Sequence, residues 1–324
     1  MSDYAIQQVV NALSAGSLYA LMAVGLAMVF GILRLINFAH GDLMMIAAYL
    51  AVFSIGAGFS FVASLPIIIV GTVIVGLLME RVAYRPLRGA PDVAVLLSSF
   101  AVGQILQNGT LLVSRLANKP QLIAFPSPDL LNGVVTIGAI TIPKVNVASF
   151  VAGIVLLGLL TLFVTRTNLG LSMRAAAEDL PAARLVGINV NRVVATAFAI
   201  GSALAAVAGV LYSVQAGQIN PYMGFTPVLK AFIAAVIGGF GSIAGAVVGG
   251  YVLGFLEVLV TSLAGIGDLL PAGSVSPEVR QFLHDWLPSG LASWRDAVVF
   301  IVLIVVLLVR PQGILGRRQQ GDEG

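Results

Sequence analysis

Apolar residues run along this chain in long, nearly unbroken stretches, and polar residues gather in short intervals between them. A window of about 19 residues picks out candidate membrane spans at roughly 10–33, 39–57, 61–79, 93–113, 147–165, 193–215, 226–240, 244–265 and 296–309. Most approach the roughly 20 residues an α-helix needs to cross hydrocarbon. In lipid every backbone polar group must find its partner inside the structure, which a helix achieves alone. The pattern therefore predicts an all-α, polytopic membrane protein of eight to nine transmembrane helices, forming one transmembrane domain over residues 1–324. The pair 226–240 and 244–265 is the weak point, because only Gly-Gly-Phe-Gly-Ser separates them, and one of the two fits a re-entrant segment equally well.

The polar intervals carry an echo. Ile36-Asn37-Phe38-Ala39-His40-Gly41 precedes an apolar stretch with Ile46-Ala47-Ala48, and Ile219-Asn220-Pro221-Tyr222-Met223-Gly224 precedes one with Ile233-Ala234-Ala235. Both read I-N-x-x-x-G after a long helix, once after an outward-to-inward helix and once after the reverse. An inverted-topology repeat, with a transport path at its interface, gives this pattern; chance in an Ala- and Gly-rich chain is the competing explanation.

Composition agrees with the pattern. Of 324 residues, 59% are hydrophobic and 10% charged, against about 25% charged in soluble domains. The net charge of +3 gives no reason to expect nucleic acid as a partner, and the absence of cysteine excludes a disulfide frame or thiolate metal site. Met1 to Val10 holds no basic residue before the first apolar run, so a cleaved signal is not expected. With the N-terminus outside, Arg34, Arg81, Arg85, Arg88, Arg166, Arg174, Arg184, Arg192, Arg310, Arg317 and Arg318 fall inside. Arg115, Lys119, Lys144, Arg280, Arg295 and Lys230 fall outside, the last near a helix end. Eleven against six favours N-out and C-in, with outer loops at 114–146 and 266–295.

Several chemistries have no counterpart in the sequence. No Walker A loop is present, and neither is H-E-x-x-H. Gly-Gly-Phe-Gly-Ser-Ile-Ala-Gly lacks the strand and third glycine of a dinucleotide fingerprint. Gly241, Gly245 and Gly249, spaced by four, read as a helix-packing groove, with Gly250 and Gly254 on the adjacent stripe. Polar groups inside spans are costly and face protein or water. Glu257 is a candidate path residue or a partner for another helix. Gln104 and Asn108, at i and i+4, either line a path or bond across helices. Asn37 and His40 stand with Asp42 at the first turn, where Asp42 is suited to capping a helix N-terminus.

Residues 166–192, RTNLGLSMRAAAEDLPAARLVGINVNR, interrupt the apolar pattern with a charged, alanine-rich segment. Ser172 to Ala177 favour helix. Pro181 is tolerated only in the first turn of a new helix, which Asp179 can cap and Gly187 can end. One or two short cytoplasmic helices result, unless the segment is a solvated loop whose arginines only fix orientation.

Five stretches carry a resemblance to a known family: residues 17–49, 80–89, 166–192, 237–250 and 310–316. They look like the permease subunits of branched-chain amino acid ATP-binding-cassette importers, the LivH type being the nearer of the two. The resemblance implies a second permease subunit completing the path, two ATP-binding subunits carrying out hydrolysis, a periplasmic binding protein delivering substrate, and a bacterial inner membrane. No cofactor and no catalytic residue are implied in this chain. The segment 166–192 matches the coupling loop seated on the ATPase, with Arg174, Ala176, Glu178, Asp179, Arg184 and Gly187 as its candidate residues. Related permeases carry urea or short amides, and no residue here excludes them. An ion-coupled secondary transporter is the alternative from another class; it would need midplane carboxylates, of which Glu257 is the candidate.

Overall fold

The computed structural model describes residues 2–138, 140–264, 270, 273, 275–287 and 289–316. Parts of the expected outer loop 266–295, together with Arg317 and Arg318, lie outside the described residues. In chain order the helices are α1 (Ser2–Leu33), α2 (His40–Gly56), α3 (Phe61–Met79) continued by a π-helical turn (Glu80–Tyr84), α4 (Asp92–Leu116), α5 (Lys144–Arg166), α6 (Asn168–Glu178) and α7 (Leu180–Leu185). They continue with α8 (Val190–Ala216), α9 (Phe225–Gly238), α10 (Ile243–Leu263), α11 (Pro277–Trp286) and α12 (Arg295–Val309).

All nine apolar stretches are helical, but they fall into two classes. Among the described residues seven helical stretches are long and apolar enough to cross a membrane: α1, α3 with its π turn, α4, α5, α8, α10 and α12 with the turn before it. The other two, α2 with 17 residues and α9 with 14, reach only about 25 and 21 Å at 1.5 Å per residue, short of the roughly 30 Å hydrocarbon layer. Each of these short helices follows one of the two I-N-x-x-x-G stretches.

Helix starts follow local capping chemistry. Side chains of Ser60, Thr167, Asp179, Asn189 and Ser242 accept from backbone N–H groups in the first turns of α3, α6, α7, α8 and α10, which satisfies donors that a helix cannot pair internally. Asp42 departs from this rule. Ala39 occupies the cap position of α2, no side chain caps it, and Asp42 points elsewhere.

Small residues decide the packing. α1 is the central post, mostly buried and packed against α5, α8, α9 and α10. Gly250 and Gly254 of α10 lie on the backbone of Ala20 and Gly16 of α1, and Gly25 of α1 crosses α8 at Gly201. Without side chains at these points the backbones come into van der Waals contact, the main attraction available between helices in lipid. Gly245 and Gly249 of α10 lie against Gly238 and Ala234 of α9. Gly241 does not belong to that stripe. It precedes α10, sits in the turn after α9 with φ +87°, a left-handed value that favours glycine, and packs against Gly31.

The loop 114–146, expected on the outer side, contains short strands. β2 (Val134–Ile137) and β3 (Ile140–Pro143) form an antiparallel hairpin. β1 (Ile123–Ala124) pairs with β4 (Gln218–Ile219), in the linker that enters α9. Phe125 N–H adds a bond to Gly217 O at 3.0 Å.

Candidate functional site

The two I-N-x-x-x-G stretches meet. Gly41, in the first turn of α2, lies directly against Gly224, which caps α9, and a β-carbon on either would overlap the other's carbonyl oxygen. From this point the helices diverge. α2 climbs beside α8 to the side where Ile123 and Ile219 pack with it, and α9 runs to the side where Gly31 meets Gly241. Long helix, linker, short helix and long helix recur in both arms, as α1–α2–α3 and as α8–α9–α10. Two broken helices with their positive N-terminal ends together in the middle of a bundle are the arrangement that secondary-structure dipoles favour for holding polar cargo at depth.

The first linker is tied down from two sides. Tyr84, fully buried in the π turn, donates to Asn37 Oδ1 at 2.6 Å. His40 is buried against Gly25, where a β-carbon would lie 2.8 Å from its ring. Neither Asn37 nor His40 lines either of the two cavities described next.

Two small cavities flank the meeting point and share Phe225. One, of about 60 Å³, lies between α2 and α4 and is lined by Phe38, Asp42, Ser99, Phe100, Gly103, Gln104, Gln107 and Phe225. Asp42 is only 4% exposed, and Gln107 Nε2 donates to its Oδ1 at 2.8 Å. Phe38 stacks on Phe100 with ring centres 4.9 Å apart. Gln104 lines this cavity and donates to Gln107 Oε1 at 3.2 Å. Asn108 is turned outward and donates to Gln104 O of its own helix; of these polar residues only Gln107 is buried, and Gln104 borders the cavity from its exposed rim.

The second cavity, of about 160 Å³, lies between α9 and α12 and includes Thr226, Lys230 and Asp296. Lys230, expected near a helix end, is a buried residue. It sits inside α9, 8% exposed, with its Nζ 2.5 Å from Glu257 Oε1 and 3.2 Å from Asp296 Oδ1. Tyr19 donates to Glu257 Oε2 at 2.6 Å. Glu257 is thus the counter-charge of Lys230, and the cluster joins α1, α9, α10 and α12.

At the other candidate region, α6 and α7 fold against the ends of α5 and α8. Gly170, Met173 and Ala176 are buried at helical spacing and seat α6. Ala176 therefore faces the chain's own interior. Arg174, Glu178, Asp179, Arg184 and Gly187 are exposed. Asp179 accepts from Ala182 N at 2.9 Å as the cap of α7, and Gly187 follows that helix at φ +85°. At the tip Leu185 is 90% and Val186 76% exposed.

Over residues 8–307 the chain matches the family described as branched-chain amino acid transport system, permease component. The chain belongs to this family. It is 39% identical, over 96% of both chains, to the high-affinity branched-chain amino acid transport system permease protein BraD of Pseudomonas aeruginosa. It is 38% identical to LivH of Escherichia coli K12, over 97% of this chain and 96% of that one. A probable branched-chain amino acid transport permease protein LivH of Methanocaldococcus jannaschii is 26% identical over 94% of this chain and 91% of its own. Such permeases are transport components rather than enzymes, and among the described residues no group of His, Cys, Asp and Glu in this permease could hold a metal.

Of the path candidates named from sequence, Gln104 lines a cavity, Glu257 neutralises a residue that does, and Asn37, His40 and Asn108 line neither. Phe38, Asp42, Gln107, Phe225 and Lys230 were not singled out as path residues. Gln107 had a signal available, as the residue on the Ser99 and Gly103 face of α4 that is buried along its length.

Proposed function

We propose that this permease is one of two membrane subunits of an ATP-binding-cassette importer for branched-chain amino acids, lying in the inner membrane with its N-terminus outside. Hydrolysis takes place on two separate ATP-binding subunits, and a binding protein on the outer side delivers Leu, Ile or Val. The observation that carries the coupling is the tip of α7. Leu185 and Val186 stand exposed after Arg184 at the end of a capped helix, an apolar knob suited to a groove on a partner. Arg174, Glu178, Asp179 and Arg184 surround it with charge that orients docking, and Ala176 acts through the seat of α6. Nucleotide-driven closure of the partners would pull this lever and tilt the arms that meet at Gly41 and Gly224, alternating access.

The closing test is purification in mild detergent followed by reconstitution. Two ATP-binding subunits and a second permease should co-purify, and leucine uptake should require internal ATP and external binding protein. Uptake that survives ATP depletion and collapses with the proton gradient would replace this reading with an ion-coupled one.

A further inference from the structure

Three carboxylates of this chain are buried among the described residues: Asp42, Glu80 and Glu257. Two carry their own cation. Arg88 pairs with Glu80, and Lys230 pairs with Glu257. Asp42, in the first turn of a helix inside the bundle, pairs with no Lys, Arg or His among the described residues. A buried carboxylate lacking a counter-ion is costly at membrane depth and marks a place where a cation comes from elsewhere.

We infer that the α2/α4 cavity is a way-station for the ammonium group of the transported amino acid, which binds the second oxygen of Asp42. The inference rests on the importer reading given above and adds the atom that meets the cargo. Gln107 occupies Oδ1 and fixes the plane of the carboxylate. Oδ2 faces Gly103, where a β-carbon would stand 2.5 Å away, so the glycine leaves this oxygen room. The remaining walls include Phe38, Phe100 and Phe225, rings whose faces attract an organic ammonium. They offer few of the six or more oxygens that a hard metal cation requires. A cavity of about 60 Å³ takes a polar head group and not a whole leucine, which leaves the apolar side chain outside, against exposed Phe225 and Phe100.

The test uses the complete transporter in proteoliposomes, with ATP inside and leucine-loaded binding protein outside. Asp42→Asn keeps an oxygen for Gln107 and removes the charge; Gly103→Ala crowds Oδ2 and leaves the charge. Each should lower ATP-dependent leucine uptake at least about tenfold, the scale of one charge-assisted hydrogen bond, with subunit co-elution as in the unaltered complex. Isopentylamine, leucine without its carboxylate, should inhibit unaltered uptake, whereas 4-methylpentanoate, leucine without its amine, should not. The residual uptake of Asp42→Asn should be insensitive to the amine. Near-normal uptake in both variants, or inhibition by the carboxylate alone, overturns the site. Should Asp42→Asn fail to assemble, Gly103→Ala and the two inhibitors decide. A transporter that never accumulates leucine, with all variants assembled, refutes the importer reading instead.

Discussion

Gly41 and Gly224 press backbone to backbone, each occupying the space that a side chain on the other would need. One precedes the second residue pair of α2 and the other caps α9, so the contact joins the two broken arms of the bundle. Backbone cannot rotate away as a side chain can. Gly41→Ala and Gly224→Ala should each destabilise the chain by roughly 1–3 kcal/mol or more and abolish uptake. Gly158→Ala, on the outward face of α5 where a β-carbon meets nothing within 4 Å, should be neutral or stabilising by up to about 1 kcal/mol. Thermal unfolding in detergent measures both, and equal behaviour of the three variants would contradict the contact.

The ion cluster around Lys230 gives an asymmetric expectation. Removing one partner of a buried pair strands the other, at roughly 3–5 kcal/mol, whereas removing both is far milder. Lys230→Met should therefore be severely destabilising, and Lys230→Met combined with Glu257→Gln should recover most of the loss. Asp296, 54% exposed on its side chain, should matter much less, within about 1 kcal/mol for Asp296→Asn. A double-mutant cycle read by thermal unfolding checks the sign; additive losses would argue against the pairing.

At the tip of α7 stability and coupling should separate. Leu185→Asp changes a residue exposed to 90%, so the isolated chain should unfold within about 0.5 kcal/mol of the original. Recovery of the ATP-binding subunits with the purified permease should fall at least about tenfold if Leu185 is an anchor. Normal recovery and normal uptake would remove it from the interface.

The cap of α7 is a milder lever. Asp179→Ala removes the acceptor for Ala182 N–H and should cost about 1 kcal/mol locally, with Asp179→Asn or Asp179→Ser retaining most of the stability. Hydrogen exchange over 180–185 should accelerate in the alanine variant alone.

Apolar length was legible because lipid imposes one rule on every span, and all nine stretches are helical. Depth was not. By hydropathy α2 looks like an ordinary span and α9 like a span or a re-entrant segment, and only the structure shows that both are short and meet at Gly41 and Gly224. The same blindness explains Asp42 and Lys230. At a helix start or near a loop, a lone charge looks like a cap or an orientation signal, and only tertiary neighbours reveal that it is buried. Asp179 was readable as a cap, since capping is settled within four residues. Gln107 lost to Asn108 because i, i+4 spacing identifies a helix face without saying which way that face turns. Gly241 lost its place in the stripe for a related reason: spacing by four means nothing once the helix has not yet begun.

The central position of α1 sets a schedule for building the molecule. Its small-residue face is covered by α8 and α10, which leave the ribosome long after it. The innermost post must wait in lipid, bare along Gly16 and Ala20, until α10 arrives to enclose it. Biogenesis therefore cannot proceed by stacking each helix on the last, and chains halted before α10 should present that naked glycine seam to the quality-control proteases of the membrane.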